Sequence, residues 1–325
     1  MNLESVGKKI DDIDVTISSR IIELFSAGLY SSPNKAFEEL ICNSYDAFAS
    51  KVSVYSPDDP TVSNAYIWVC DNGEGLDAGE LKQLWKIGES LKRKDKDRDK
   101  KRLQIGQFGI GKLSTYILAR KLTYISKKSE RYILATMDYN LINDDVNGIK
   151  IDEREVTEEE VRQIANEYIR PELLNFELFG EKATKTWTIS LMTELKPKAS
   201  EIKLGRLKWL LSTALPLNPG FELKFNGAEV ESSKVKTPIM KRWIIGKEDE
   251  TLDKIDGAIS RVEKVEEGEE RYFVDLQNLR GINGEFILYE DSLVDGKSSN
   301  LGRSHGIFLS IRGRLINLDD PLLGM

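Results

Sequence analysis

The sequence predicts an α+β fold in which one mixed sheet is covered by helices. Three observations carry that expectation. Apolar runs of strand length near 52–56, 65–70, 121–126, 131–137 and 186–191 are interleaved with segments of helical period, without regular strand–helix–strand alternation. Between the second and third runs lie two glycine-rich turns, around 71–75 and 106–111. From about 235 the pattern changes to short alternating stretches separated by acidic or Gly/Ser-rich loops, which predicts a second, sheet-rich domain.

Taken in order, an amphipathic helix is expected around Ser18 to Ala27, and a second through Glu39 to Ala47. Strands near 52–56 and 65–70 follow, then a helix near 79–87. The glycine turn at 106–111 opens onto Leu113-Ser114-Thr115-Tyr116-Ile117-Leu118-Ala119, which reads as a helix. Strands near 121–126 and 131–137, an acidic helical insert at 156–177 and a strand at 186–191 complete the expected sheet. A helix around Gly205 to Leu211 leads to a strand and tight turn in Phe221-Glu222-Leu223-Lys224-Phe225-Asn226-Gly227. Alternating stretches at 271–276, 284–289 and 306–312 belong to the second domain.

The chemistry concentrates in three motifs. On a 3.6-residue helix Glu39, Asn43 and Asp46 share one stripe. An amide between two acids is poor core material, because each unpaired buried polar group costs roughly 2 to 7 kcal/mol. The same stripe can hold a metal ion and orient a water. The second motif is Asp71-Asn72-Gly73-Glu74-Gly75, at the end of an apolar strand. A calcium loop does not explain it, since the oxygen ligands expected at alternating positions are missing. The third is Ile105-Gly106-Gln107-Phe108-Gly109-Ile110-Gly111-Lys112, a glycine turn entering a helix. Such a turn aims backbone N–H groups at a phosphate, and Lys112 adds a point charge beside it.

In this order and spacing the three motifs resemble those of the GHKL superfamily of gyrase, the ninety-kilodalton heat-shock chaperone, histidine kinases and MutL. The wording of Leu29 to Ala47 and of Ile105 to Ala119 is most similar to the chaperone and to MORC-type ATPases, and Leu122 to Lys128 resembles the strand after the chaperone's second glycine loop. The resemblance implies an ATPase that takes Mg-ATP between helices and sheet. It makes Glu39 the general base for the attacking water. Asn43 becomes the Mg²⁺ ligand, and Asp71 the acceptor of the adenine amine. Gly73 and Gly75 become points of close backbone approach to the nucleotide. Gly106, Gln107, Phe108, Gly109, Ile110, Gly111 and Lys112 become the triphosphate cradle. Asp46 either supports Asn43 or a water network, or is an ordinary polar helix position. Thr186 stands where the family often has Gly-Thr near the adenine, but Lys185 replaces the glycine, and an ordinary strand residue is an equal reading. Glu38 replaces an arginine of the chaperone.

Between the glycine motifs, Lys92 to Arg102 is wholly charged, eight residues basic and three acidic. It reads as part of a lid over the nucleotide spanning about 76–105, as a solvated loop, or as a nucleic-acid contact. The chain as a whole is acidic, with formal charge −7, which disfavours nonspecific nucleic-acid binding by its full surface. Its 325 residues, 40% apolar, suffice for two cores. No apolar run reaches the roughly 18 residues of a membrane span, and no signal peptide opens the chain. Cys42 and Cys70 sit in apolar elements, and the lone His305 cannot build a histidine metal site.

These readings divide the chain into an ATPase domain over 1–232 and a transducer-like domain over 233–325, incomplete at its C-terminus. The resemblance implies ATP-driven lid closure and homodimer formation, in a cytoplasmic or, in a eukaryote, nuclear protein. The lid charge and the Lys/Arg-rich 233–247 lean toward a clamp acting on DNA; a chaperone acting on proteins is the alternative. A histidine-kinase reading lacks room for an upstream acceptor helix, and Glu39 with Asn43 argues against a non-catalytic sensor.

Overall fold

The computed structural model describes residues 32–84, 111–142, 151–214, 221–230, 238–247, 255–264, 270–290, 309–311 and 314–315. The expected helix at Ser18–Ala27, nearly all of the lid, and Gly106 to Ile110 lie outside them. The described residues up to 230, together with the hairpin strands β13 (Ser310–Ile311) and β14 (Arg314–Leu315), fall in one compact unit, and those from 238 to 290 in a second.

Eight strands form the mixed sheet of the first unit: β1 (Lys51–Tyr55), β2 (Ile67–Asp71), β3 (Ala119–Lys128), β4 (Arg131–Asp138), β5 (Asp152–Val156), β6 (Trp187–Leu195), β7 (Glu222–Phe225) and β8 (Ala228–Glu229). Their order is β5-β4-β3-β6-β2-β1-β7-β8, antiparallel throughout except for the parallel pair β1–β7. The helices are α1 (Asn34–Asp46), α2 (Ala78–Leu84), α3 (Glu158–Tyr168) and α4 (Leu204–Ala214).

Strand alternation sorts the core into two faces. On one, Val52, Val54, Ile67, Val69, Leu122 and Met192 pack with Phe37, Leu40 and Ile41 of α1 and Leu207 and Leu211 of α4. On the other, Trp68, Ile125, Trp187 and Ile189 pack with Val161 and Ala165 of α3. The indole N–H groups of Trp68 and Trp187 would be costly orphans in that layer, and they donate to Tyr168 O at 3.1 Å and Leu178 O at 3.2 Å.

Two sequence expectations are corrected. The segment after Gly111 is a 3-10 turn, Gly111–Ile117, and Ala119 already begins β3. Thr115, Tyr116 and Ile117 are β-branched or aromatic and favour leaving the helical state early. The acidic insert is helical only over Glu158–Tyr168, started by a reciprocal Thr157–Glu160 capping box and followed by Pro171, which cannot continue a helix. In the second unit, β9 (Ile239–Ile244) pairs with β12 (Glu285–Tyr289), and β10 (Ile259–Lys264) with β11 (Glu270–Asp275). The fold is thus an α+β sheet-and-helix core followed by sheet-rich elements. None of the described helices is long and apolar enough to cross a membrane.

Candidate functional site

Helix α1 is set on the sheet by its apolar residues, and this fixes where its polar ones face. Just before it, Ser32 accepts Asn34 N–H at its side chain and Lys35 N–H at its carbonyl. With Phe37, Leu40, Ile41 and Ser44 buried against the sheet, Glu39 and Asn43 fall at the helix border, half-buried, while Asp46 is buried. Glu38, also buried, pairs with Lys35 Nζ at 2.9 Å.

The end of β2 delivers Asp71 beneath this helix. Asp71 is buried and accepts two hydrogen bonds, from Ser44 Oγ at 2.8 Å and from Gly73 N–H at 2.9 Å. Burial disfavours the charged form more than these two donors favour it, so the carboxyl pKa is pushed up to about 6.

Asp71 belongs to a polar row across the sheet. Its direct partner on β6 is Thr188, whose partner on β3 is Ser126. Directly paired residues share a face, so all three side chains lie on the α1 side. Two positions further in, Tyr124 and Ser190 form the next polar pair. Thr188, Ser190 and Ser126 are all buried. Thr186, the sequence's candidate, precedes β6 and is half-buried; the threonine opposite Asp71 is Thr188, two residues on. The sequence reading did not single out Thr188, Ser126 or Ser44, which lie in or beside this row.

Backbone packing explains the Asp71–Gly75 turn. Asn72 Oδ1 accepts the N–H groups of Ser50 and Lys51 at 2.9 and 2.7 Å, and Glu74 N–H donates to Ala47 O at 2.9 Å. A Cβ on Gly73 would lie 2.7 Å from Ala47 O, and one on Gly75, where φ is +68°, would lie 2.4 Å from Lys127 O. Both glycines thus pass close to the protein's own backbone. Beyond them Leu76 N–H donates to Ser126 Oγ at 2.7 Å, and Lys128 Nζ grips both carboxylate oxygens of Glu80 in α2 at 2.6 and 2.7 Å.

The Gly111 end of the 3-10 turn meets Glu39. A Cβ built on Gly111 would fall on Glu39 Oε2 and 3.1 Å from its Cδ, so the Glu39 carboxylate lies against the Gly111 backbone. Helix α1 therefore carries one carboxylate to the second glycine motif and, through Ser44, contacts the acid of the first. Among the described residues no cluster of three or more Asp, Glu, His or Cys side chains could hold a metal ion.

The family described as histidine kinase-, DNA gyrase B- and HSP90-like ATPase matches residues 30–169, which contain both α1 and the 3-10 turn. Two curated relatives are each a chaperone protein HtpG. The one from Ruthia magnifica subsp. Calyptogena magnifica is 30% identical over 132 residues, covering 34% of this chain and 21% of the relative. The one from Rickettsia canadensis (strain McKiel) is 31% identical over 143 residues, covering 38% of this chain and 22% of the relative. The chain thus spans about a fifth of the length of these relatives.

Proposed function

Residues 30–169 are a GHKL-superfamily ATPase domain related to the chaperone HtpG, and from that premise we propose that this chain binds and hydrolyses Mg-ATP as the motor of a chaperone-type conformational switch. The observation that carries the reading is the placement of α1. It puts the Glu39 carboxylate against Gly111 and joins Ser44 to the buried carboxyl of Asp71.

The reading gives each residue a role. Asp71, with Thr188 beside it, accepts the exocyclic amine of adenine and selects the base. Asn43, one turn along from Glu39, would hold a magnesium ion through its amide oxygen, and the ion would supply charge neutralisation on the phosphates. Glu39 accepts the proton of the attacking water; it needs only to lie in line with the terminal phosphate, because positioning and electrostatics supply most of the rate in phosphoryl transfer. Gly106 to Lys112 cradle the triphosphate, and segment 76–105 closes over it. Residues 1–232 act as the ATPase domain and 233–325 as a transducer-like domain, with two chains associating when ATP is bound.

The charge of 92–102 and of 233–247 leans toward DNA, but both curated relatives are chaperones, and this favours a protein client. Turnover of the wild-type chain against Glu39→Ala tests the reading: equal rates discard Glu39 as base. Labelled γ-phosphate retained on the chain would point instead to a kinase.

A further inference from the structure

We propose that Gly111 is a positioning residue for Glu39: its missing side chain leaves the slot in which the base carboxylate sits, and this, more than phosphate contact, is why the position is glycine. The inference rests on the proposed role of Glu39.

Three glycines of the site show what decides the matter. At Gly73 and Gly75 the atoms a Cβ would strike include backbone carbonyl oxygens, Ala47 O and Lys127 O, which can yield only if the fold yields. Gly111 is different. Among the described residues the three atoms nearest its absent Cβ all belong to the side chain of Glu39: Oε2 overlapping it, Cδ at 3.1 Å and Cβ at 3.5 Å. The backbone at Gly111 is not in the left-handed region, so alanine is conformationally allowed there. An added methyl group is therefore accommodated by the far end of a flexible side chain. The fold survives, and the carboxylate moves.

That displacement falls on the atom whose position matters most. Misplacing a reacting group by about 1 Å can cost on the order of 100-fold in rate while leaving binding untouched. A glycine that served only the triphosphate would behave oppositely, weakening nucleotide affinity whatever the residue at 39.

The test uses the 325-residue chain as wild type, Gly111→Ala, Glu39→Asp and the double variant, with kcat for ATP and Kd for ADP and a non-hydrolysable ATP analogue. Aspartate is one methylene shorter and withdraws the carboxylate from position 111. We expect Gly111→Ala to lower kcat about tenfold or more, a larger factor than its effect on either Kd. On the Glu39→Asp background the same substitution should cost less than about twofold. Equal losses on both backgrounds, or a weakened Kd with kcat intact, overturn the proposal. If turnover on the Glu39→Asp background is undetectable, a crystal structure of Gly111→Ala decides: a shifted Glu39 carboxylate supports the inference and an unshifted one overturns it. Glu39→Gln at wild-type turnover would instead defeat the assignment of the base, a separate outcome.

Discussion

Ser44 donates its hydroxyl proton to Asp71 Oδ2 across 2.8 Å, joining the middle of α1 to the end of β2. The bond links the helix to the sheet beneath it and holds one oxygen of a carboxylate that is buried away from water.

That carboxylate is costly to the empty protein. With its pKa pushed up to about 6 from 3.8, the folded chain holds the Asp71 proton more tightly than the unfolded chain. Stability from this group is therefore fullest below about pH 4 and falls as pH rises to 6, by about 3 kcal/mol in all. Asp71→Asn should be more stable than wild type at pH 7.5, by up to that amount less the bond to one lost acceptor. The gain should vanish at pH 4. Urea titrations at the two pH values measure it, and nucleotide binding by the variant should be lost.

The wild-type site should show the same proton from the ligand's side. An ionised Asp71 accepts the adenine amine better than a protonated one, so affinity for ADP should weaken as pH falls through 6. Calorimetric titration between pH 5 and 8 reads this directly; a flat profile would remove Asp71 from the base-recognition role.

Thr188, opposite Asp71, and Thr186, before the strand, separate in a simple comparison. Thr188→Val keeps the shape and loses one hydroxyl, and should weaken ADP about tenfold, the value of one hydrogen bond. Thr186→Val should leave affinity unchanged.

Gly75→Ala forces a left-handed backbone on alanine and drives a methyl group at Lys127 O. A loss of about 2 kcal/mol or more is expected in urea unfolding. Thr157→Ala removes the cap of α3 and should cost about 1 kcal/mol, with ATP turnover unchanged because α3 packs on the opposite face of the sheet.

The legible parts of this molecule were those encoded locally. The period of Phe37, Leu40, Ile41 and Ser44 sets α1, and the apolar run before Asp71 sets β2. Glu39 and Asp71 could be chosen from short motifs because each motif is a contiguous stretch. The place of Thr188 opposite Asp71 could not, since it depends on the register of β2 against β6, set by strands more than a hundred residues apart. The contact of Glu39 with Gly111 spans 72 positions and leaves no sequence signal. Strands β9 and β10 were missed because charged residues interrupt their alternation, as Lys241 and Arg242 do in β9.

Trp68 and Trp187 are wholly out of water on the side of the sheet away from Asp71, while Trp243 in the second unit is 43% exposed. The intrinsic fluorescence of the chain thus contains a blue-shifted component that follows melting of the sheet. Trp209 of α4, half-buried, and Trp243 of β9 are the described indoles that iodide can reach, so its quenching leaves the Trp68 and Trp187 signal of the sheet standing.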